Sequence, residues 1–213
     1  MNPRIRKINP TAPEPEIIAE AAAMIRRGGV VVFPTRCLYG LGADALDPDA
    51  IEKIFKIKRR PADNPIPVLI HCRRQLDSLA ARITPAAAAI MQAFWPGRVT
   101  LVFEARAALS DRLTAGTGKI GVRLAGHPVA AALVRQVGSP VTATSANLSG
   151  RPGCRQVQDL DPPVAGQVDL VLDAGRLEGG VGSTIVDVTE DPPRILREGR
   201  VTAADVLRTL AEV

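Results

Sequence analysis

Gly28-Gly29-Val30-Val31-Val32-Phe33-Pro34 decides the fold class. Four apolar residues, three of them β-branched, follow a glycine pair with no polar residue between them. A half-exposed strand would alternate; an unbroken run predicts a strand covered on both faces, and so a sheet with helices packed on it. Upstream, Ile17, Ile18, Ala21, Met24 and Ile25 have helical spacing, and Gly28-Gly29 ends that helix at about Arg27. Outward from there the pattern keeps switching. Helices are predicted at Asp49–Lys58, Pro85–Phe94, Pro128–Val137 and Thr202–Leu210, the last with Thr202 as its cap. Extended segments are predicted at Pro67–Ile70, Thr100–Phe103, Ile120–Leu124, Val141–Thr144, Val168–Leu172, Thr184–Val188 and Ile195-Leu196. Interleaved helices and strands give one mixed-sheet α/β domain over 16–213, preceded by an irregular proline-rich arm at 1–15.

Composition narrows the function classes. The 213 residues suit a single core, and 46% apolar content lets it form without disulfides. Aromatics at 3% are too few for a stacking platform on single-stranded nucleic acid. A formal charge of +5 suits an anionic ligand without specifying one. Cys37, Cys72 and Cys154 form no CxxC pair, and His71 and His127 have no metal-ligand spacing, so no protein-held metal is expected. No apolar run is long enough to span a bilayer and no signal-peptide pattern is present, so the expected location is the cytoplasm.

Three segments carry candidate chemistry. Pro34-Thr35-Arg36-Cys37-Leu38-Tyr39-Gly40-Leu41-Gly42 follows the buried strand, where open α/β sheets bind ligands. It reads equally well as a tight strand-to-helix connection with Tyr39 in the core. Ile51, Ile54 and Phe55 form the inward stripe of a helix, and Lys58, seven residues after Ile51, shares that face. Arg60 stands just before Pro61, where the helix must end. Lys58 and Arg60 at such a corner can clamp phosphates, whereas Arg59 fits a helix-end cation. In Thr144-Ser145-Ala146-Asn147-Leu148-Ser149-Gly150 a strand enters a turn of small and hydroxyl residues, which admits a ligand to the main chain. Alone, such a turn is more often an ordinary cap. Arg123 in a strand needs an anionic partner, and Ser183-Thr184 follows the flexible Gly179-Gly180-Val181-Gly182 loop. There is no P-loop and no GxSxG.

In this order these segments resemble the YrdC-like domain of the threonylcarbamoyl-AMP synthase family, from about Ala19 to Arg200. Pro34-Thr35-x-x-Tyr39-Gly40-Leu41, Lys58-x-Arg60-Pro61 with Asn64-Pro65, Pro96-Gly97-x-x-Thr100, Gly121-Val122-Arg123, Thr144-Ser145-Ala146-Asn147-x-Ser149-Gly150, Ser183-Thr184 and Leu196-Arg197-x-Gly199 match in register. The resemblance implies a YrdC-like twisted mixed sheet with flanking helices and an open, basic central cavity. It implies an enzyme, a nucleotidyltransferase that makes threonylcarbamoyl-AMP and pyrophosphate from L-threonine, bicarbonate and ATP with Mg²⁺. A downstream tRNA-modifying transferase complex would use the product, and tRNA or double-stranded RNA is a further implied partner. On the matching positions, Lys58, Arg60, Asn64, Ser145, Asn147 and Arg197 would hold ATP, with Lys58 and Arg60 offsetting charge on the departing pyrophosphate. Thr35, Arg123 and Ser183 would hold threonine, Arg123 pairing its carboxylate. The alternatives are a paralogue acting on another carbamoyl adenylate, which would tend to lack the Lys-x-Arg and Ser-x-Asn elements, and a double-stranded RNA-binding module.

The chain departs from the family pattern in three places. Arg36-Cys37 stand where an acidic residue and Thr are usual. Leu69 stands where many synthases place a His, with His71 two residues on and expected on the same side of the strand. Lys119 replaces a small hydroxyl residue. No appended C-terminal domain is expected, so a lid would come from the arm or from Gly179–Gly182.

Overall fold

The computed structural model describes residues 3–211. Its strands are β1 (Arg4–Lys7), β2 (Val31–Pro34), β3 (Tyr39–Gly42), β4 (Val68–Ile70), β5 (Val99–Glu104), β6 (Lys119–Leu124), β7 (Val141–Thr142), β8 (Thr144–Ser145), β9 (Leu170–Asp173), β10 (Thr184–Asp187) and β11 (Arg194–Arg197). Its helices are α1 (Pro15–Arg26), α2 (Pro48–Lys58), α3 (Pro85–Phe94), α4 (Asp111–Thr114), α5 (Pro128–Val137), α6 (Pro162–Ala165) and α7 (Ala203–Leu210). The strands form two mixed sheets rather than one: β1-β9-β2-β3-β8 and β11-β10-β5-β6-β4-β7. Pro140–Ser145 joins them. Val141 and Thr142 pair with β4 in the second sheet, while Thr144 and Ser145 pair with β3 in the first. The sequence shows this stretch as one apolar-to-hydroxyl run, so nothing in it marks the change of sheet.

The strand that decides the class behaves as its composition dictates. Val31 and Phe33 enter a cluster with α1 and α5, and Val30 and Val32 enter the larger core with α2 and the second sheet. Both faces are covered. Gly42, opposite Val31 in the antiparallel β2–β3 pair, leaves room for that packing. A Cβ built on it would lie 2.6 Å from Phe33 Cε1 and 2.9 Å from Val141 Cγ1, both fully buried. Gly42→Ala is therefore expected to cost about 1–3 kcal/mol of overpacking, read as a lower denaturant midpoint with an unchanged slope.

The proline-rich arm is not wholly irregular. Arg4–Lys7 pairs parallel to β9 at the edge of the first sheet, and Ile8 N–H continues the ladder to the Asp173 carbonyl. Its Arg-Ile-Arg-Lys sequence lacks the apolar content of a buried strand. An exposed edge strand tolerates such charge, which is why pattern reading passes over it. Helix caps follow their residue types: Asp47 accepts from Asp49 and Ala50 N–H, His127 Nδ1 from Val129 N–H, and Thr202 from Asp205 N–H. Among the described residues no helix is long and apolar enough to cross a membrane.

One face of the second sheet positions the site. Val99, Leu101 and Phe103 of β5, Ile120 and Val122 of β6, and Val68 and Ile70 of β4 point into the core. Their alternates, Thr100 and Val102, Lys119, Gly121 and Arg123, and Leu69, line a cavity instead. Strand alternation thus divides core from site one residue at a time.

Candidate functional site

The cavity has a volume of about 880 Å³, within the range of sites that take small molecules. Its floor is the free face of β5, β6 and β10, and its walls are the β2–β3 turn, the Arg60–Pro67 segment, the β7–β8 crossing and β11. Seven of the nine expected site residues line it: Thr35, Arg60, Asn64, Arg123, Ser145, Ser183 and Arg197. Lys58 and Asn147 stand behind the lining, both buried.

The Pro34–Gly42 segment is a β-hairpin, not a strand-to-helix connection. Thr35 N–H and Oγ1 both donate to the Leu38 carbonyl, at 3.1 and 2.6 Å, closing the turn between β2 and β3. Tyr39 is fully buried, as the core reading had it, with its hydroxyl donating 2.7 Å to the Gly175 carbonyl. That leaves no exposed aromatic face here for a base.

At the corner after α2, Arg59 takes a left-handed backbone with φ 49° and ends the helix. Arg60 is fixed in place. Its Nε donates to the Asn64 carbonyl at 2.9 Å, and one Nη donates to Asn64 Oδ1 and to the Pro65 carbonyl, both at 2.8 Å. Every one of these acceptors is neutral, so the guanidinium keeps its full charge facing the cavity. Loss of solvent lowers its pKa from the ordinary value.

Lys58 is held by main-chain carbonyls of the neighbouring turn. Its ammonium donates to the Ser145 carbonyl at 2.6 Å and the Asn147 carbonyl at 2.7 Å, while its own carbonyl accepts from Ser149 N–H at 2.8 Å. Three bonds tie the end of α2 to the Ser145–Ser149 turn. The inward position follows from helical spacing; the carbonyl partners depend on how the β7–β8 crossing runs, which spacing does not encode. Asn147 Nδ2 donates to the Leu148 and Arg151 carbonyls, turning the amide inward. Burial, and then the charge of Arg60, push the Lys58 pKa down to about 8.

Across the floor, Arg123 has no carboxylate within ion-pair range among the described residues. Burial lowers its pKa to about 10, with Arg197 adding like-charge repulsion and the Cys37 thiol opposing. Arg197 is steadied by its Nη2 donating to the Ser183 carbonyl at 2.7 Å, and Ser183 Oγ lies 2.8 Å from Thr100 Oγ1. Two close guanidiniums and two hydroxyls with one side open describe a carboxylate or phosphate receptor. Gly199 lets β11 approach this wall: a Cβ there would lie 2.6 Å from the Ser183 carbonyl carbon and from Thr184 N.

The far end of the floor holds a pairing that the sequence does not signal. Lys119 Nζ meets Asp187 Oδ2 at 2.8 Å, and Asp187 Oδ1 accepts from Thr189 Oγ1 at 2.6 Å. Burial alone would raise the Asp187 carboxyl, but these donors outweigh it and hold the carboxyl below its usual range. A lysine thus stands in a wall where the resembled family has a small hydroxyl, and its charge is already spent. The expectation for His71 fails. β4 ends at Ile70, so Leu69 lines the cavity and His71 does not. Among the described residues no group of three His, Cys, Asp or Glu side chains could hold a metal.

The family Sua5_yciO_yrdC, described as Telomere recombination, matches residues 23–199. The threonylcarbamoyl-AMP synthase of Bacillus subtilis (strain 168) is 40% identical over 190 residues, covering 89% of this chain and 55% of that protein. The structure of Pyrococcus abyssi Sua5 complexed with L-threonine matches with a TM-score of 0.91 at 36% identity, over 98% of this chain and 61% of that one. Escherichia coli YciO matches with a TM-score of 0.86 at 28% identity, over 96% of this chain and 98% of that one. The chain spans little more than half the length of the Bacillus subtilis synthase and of the Pyrococcus abyssi threonylcarbamoyl-AMP synthase.

Proposed function

The chain belongs to the Sua5/YciO/YrdC family, and on that premise we propose that it is an L-threonylcarbamoyladenylate synthase. The observation that carries this reading is Arg123, a guanidinium with no carboxylate partner among the described residues, on the floor of a cavity that also contains Arg60 and Arg197. A cation held without a carboxylate partner in a semi-buried site calls for an anion from outside. Threonine's carboxylate is the anion the comparisons favour. Arg123 would take it bidentately, with Ser183 and Thr35 beside it, while Arg60, Asn64, Ser145 and Arg197 would face the nucleotide. Lys58 and Asn147 would serve the same half of the site by fixing the Ser145 turn.

The reaction then needs little from the protein except placement. The threonine amine bonds to the carbon of bicarbonate, water leaves, and the product is a carbamate. A carbamate oxygen bonds to the α-phosphorus of ATP while the bond from that phosphorus to the bridging oxygen breaks, releasing pyrophosphate. A carbamate is a weak nucleophile, so holding it in line supplies much of the rate. Arg60 and Arg197 stabilise charge building on the leaving group. Asp187, the carboxylate in the lining, is committed to Lys119, so these residues fit Mg²⁺ only as an ion carried on ATP's phosphate oxygens and water. Bound there, it would withdraw charge from the phosphates. The product would pass to a tRNA-modifying transferase.

A family member acting on another carbamoyl adenylate is the competing reading, and Lys58-x-Arg60 and Ser145-x-Asn147 argue against it. The test is pyrophosphate release from ATP, Mg²⁺ and bicarbonate with and without L-threonine. Release that requires threonine is the expected result. Release indifferent to threonine, or none, would overturn the assignment.

A further inference from the structure

The amino-acid end of the cavity has two unlike sides. Arg123 of β6 pairs in register with Leu69 of β4 on one side. On the other lie Thr100 of β5 and Ser183, their hydroxyls 2.8 Å apart. On the β4 side the lining includes Leu69, Ala130, Ala143 and the imidazole of His127. We propose that these four residues receive the substrate's side chain, the three apolar ones taking a methyl group and His127 Nε2–H donating to a hydroxyl oxygen. The proposal rests on the synthase reading and deepens it, because it names what selects threonine over an apolar amino acid of the same shape.

Local structure brings the four together. Leu69 and Ala130 belong to the cluster that β2, α1 and α5 share, and Ala143 packs against that cluster. Ala143 N–H donates to the Pro67 carbonyl at 2.7 Å, which holds it beside β4. The chain passes from Arg123 to His127 through a short turn. Ala125 N–H donates to the Ile70 carbonyl at 2.9 Å, and Gly126 packs on the neighbouring backbone, where a Cβ would lie 2.8 Å from Gly97 Cα. His127 then caps α5, with Ala130 one helical turn further on.

The cap decides how the imidazole can bond. Nδ1 accepts from Val129 N–H at 3.2 Å, so in the neutral ring the proton sits on Nε2. Burial, and then the charge of Arg36, disfavour the cation and keep that form. Nε2 has no hydrogen-bond partner among the described residues and is not among their buried unpartnered atoms. Its N–H is thus a fixed, neutral donor in a wall that is otherwise apolar. Thr35 does not duplicate it, because the Thr35 hydroxyl donates to the Leu38 carbonyl. Arg123 suits a carboxylate, whereas a neutral N–H beside Leu69, Ala130 and Ala143 suits a side chain with one hydroxyl and one methyl. Valine has that shape but leaves the N–H unmatched. Serine satisfies the N–H but leaves the methyl space unfilled.

The test compares L-threonine, L-valine and L-serine in the wild-type chain and in H127S, where serine retains a cap for α5. In wild type, kcat/KM for threonine should exceed that for valine, and that for serine, by about 10- to 100-fold each. In H127S the threonine-to-valine ratio should fall to about 1–3, with the threonine-to-serine ratio within about twofold of wild type. Each ratio is taken on one variant, so the fraction folded cancels. Without turnover, ¹⁵N spectra of the wild-type imidazole should show Nε2 protonated and its signal moved by L-threonine but not by L-valine. A wild-type threonine-to-valine ratio kept in H127S, or an Nε2 signal that threonine leaves in place or valine moves equally, would overturn the proposal. No pyrophosphate release with any amino acid would overturn the synthase reading instead, and the spectra would still decide the side-chain pocket.

Discussion

Replacing Arg123 with methionine should reduce kcat/KM for threonine by about 100-fold or more while leaving the fold at least as stable. The two halves of that expectation have one cause. Arg123 is buried enough for its pKa to fall to about 10, and no carboxylate in the described chain compensates it. Without substrate the guanidinium costs desolvation energy and gains little, so an unbranched apolar side chain relieves the fold. With substrate present, the same guanidinium would meet a carboxylate through two charge-assisted hydrogen bonds, each contributing about 1.5–3 kcal/mol. Losing them removes substrate binding and the alignment that depends on it. Thermal melting and steady-state kinetics check the two halves separately. A variant that melts lower and keeps its affinity for threonine would show that Arg123 is a structural cation.

That contrast between fold and site also marks what could be read from the chain. Val30–Phe33 announced a strand covered on both faces, and two separate clusters do cover it. Local composition suffices there because burial acts on each side chain independently. Thr35, Arg60, Asn64, Arg123, Ser145, Ser183 and Arg197 were legible as a group through the motif resemblance, and one cavity does collect them. What could not be read depends on distant partners. The Lys58 spacing shows an inward lysine but not the Ser145 and Asn147 carbonyls it meets, some 87 and 89 residues away in the chain. The Lys119–Asp187 pair spans 68 positions for the same reason. β1 escaped because an exposed edge strand carries no apolar signature, and the division into two sheets because the crossing at Ala143 has no turn residue.

Lys58 gives the second large effect, in which stability and ligand affinity move in opposite directions with pH. Its folded pKa is about 8, against an ordinary 10.5. Between these values the unfolded chain holds a proton that the folded chain has released. Stability from this group therefore rises as pH rises through that window. ATP affinity should do the reverse. As Lys58 loses its charge, the turn bearing Ser145 loses its charge-assisted bonds and the phosphate corner loses positive potential. A fall of about tenfold in ATP affinity between about pH 7 and pH 9, measured by calorimetry, is the expected result. The neighbours do not confuse the signal. Arg60 stays charged in this range, and burial pushes the Cys154 thiol up to about 11. Lys58→Met keeps the chain length and removes the donors. It should flatten the pH dependence, weaken ATP binding at all pH values and cost about 1–3 kcal/mol, because two turn carbonyls lose their partner. If Lys58→Met binds ATP normally at pH 7, the two ammonium bonds from Lys58 to the Ser145 turn belong to the fold alone.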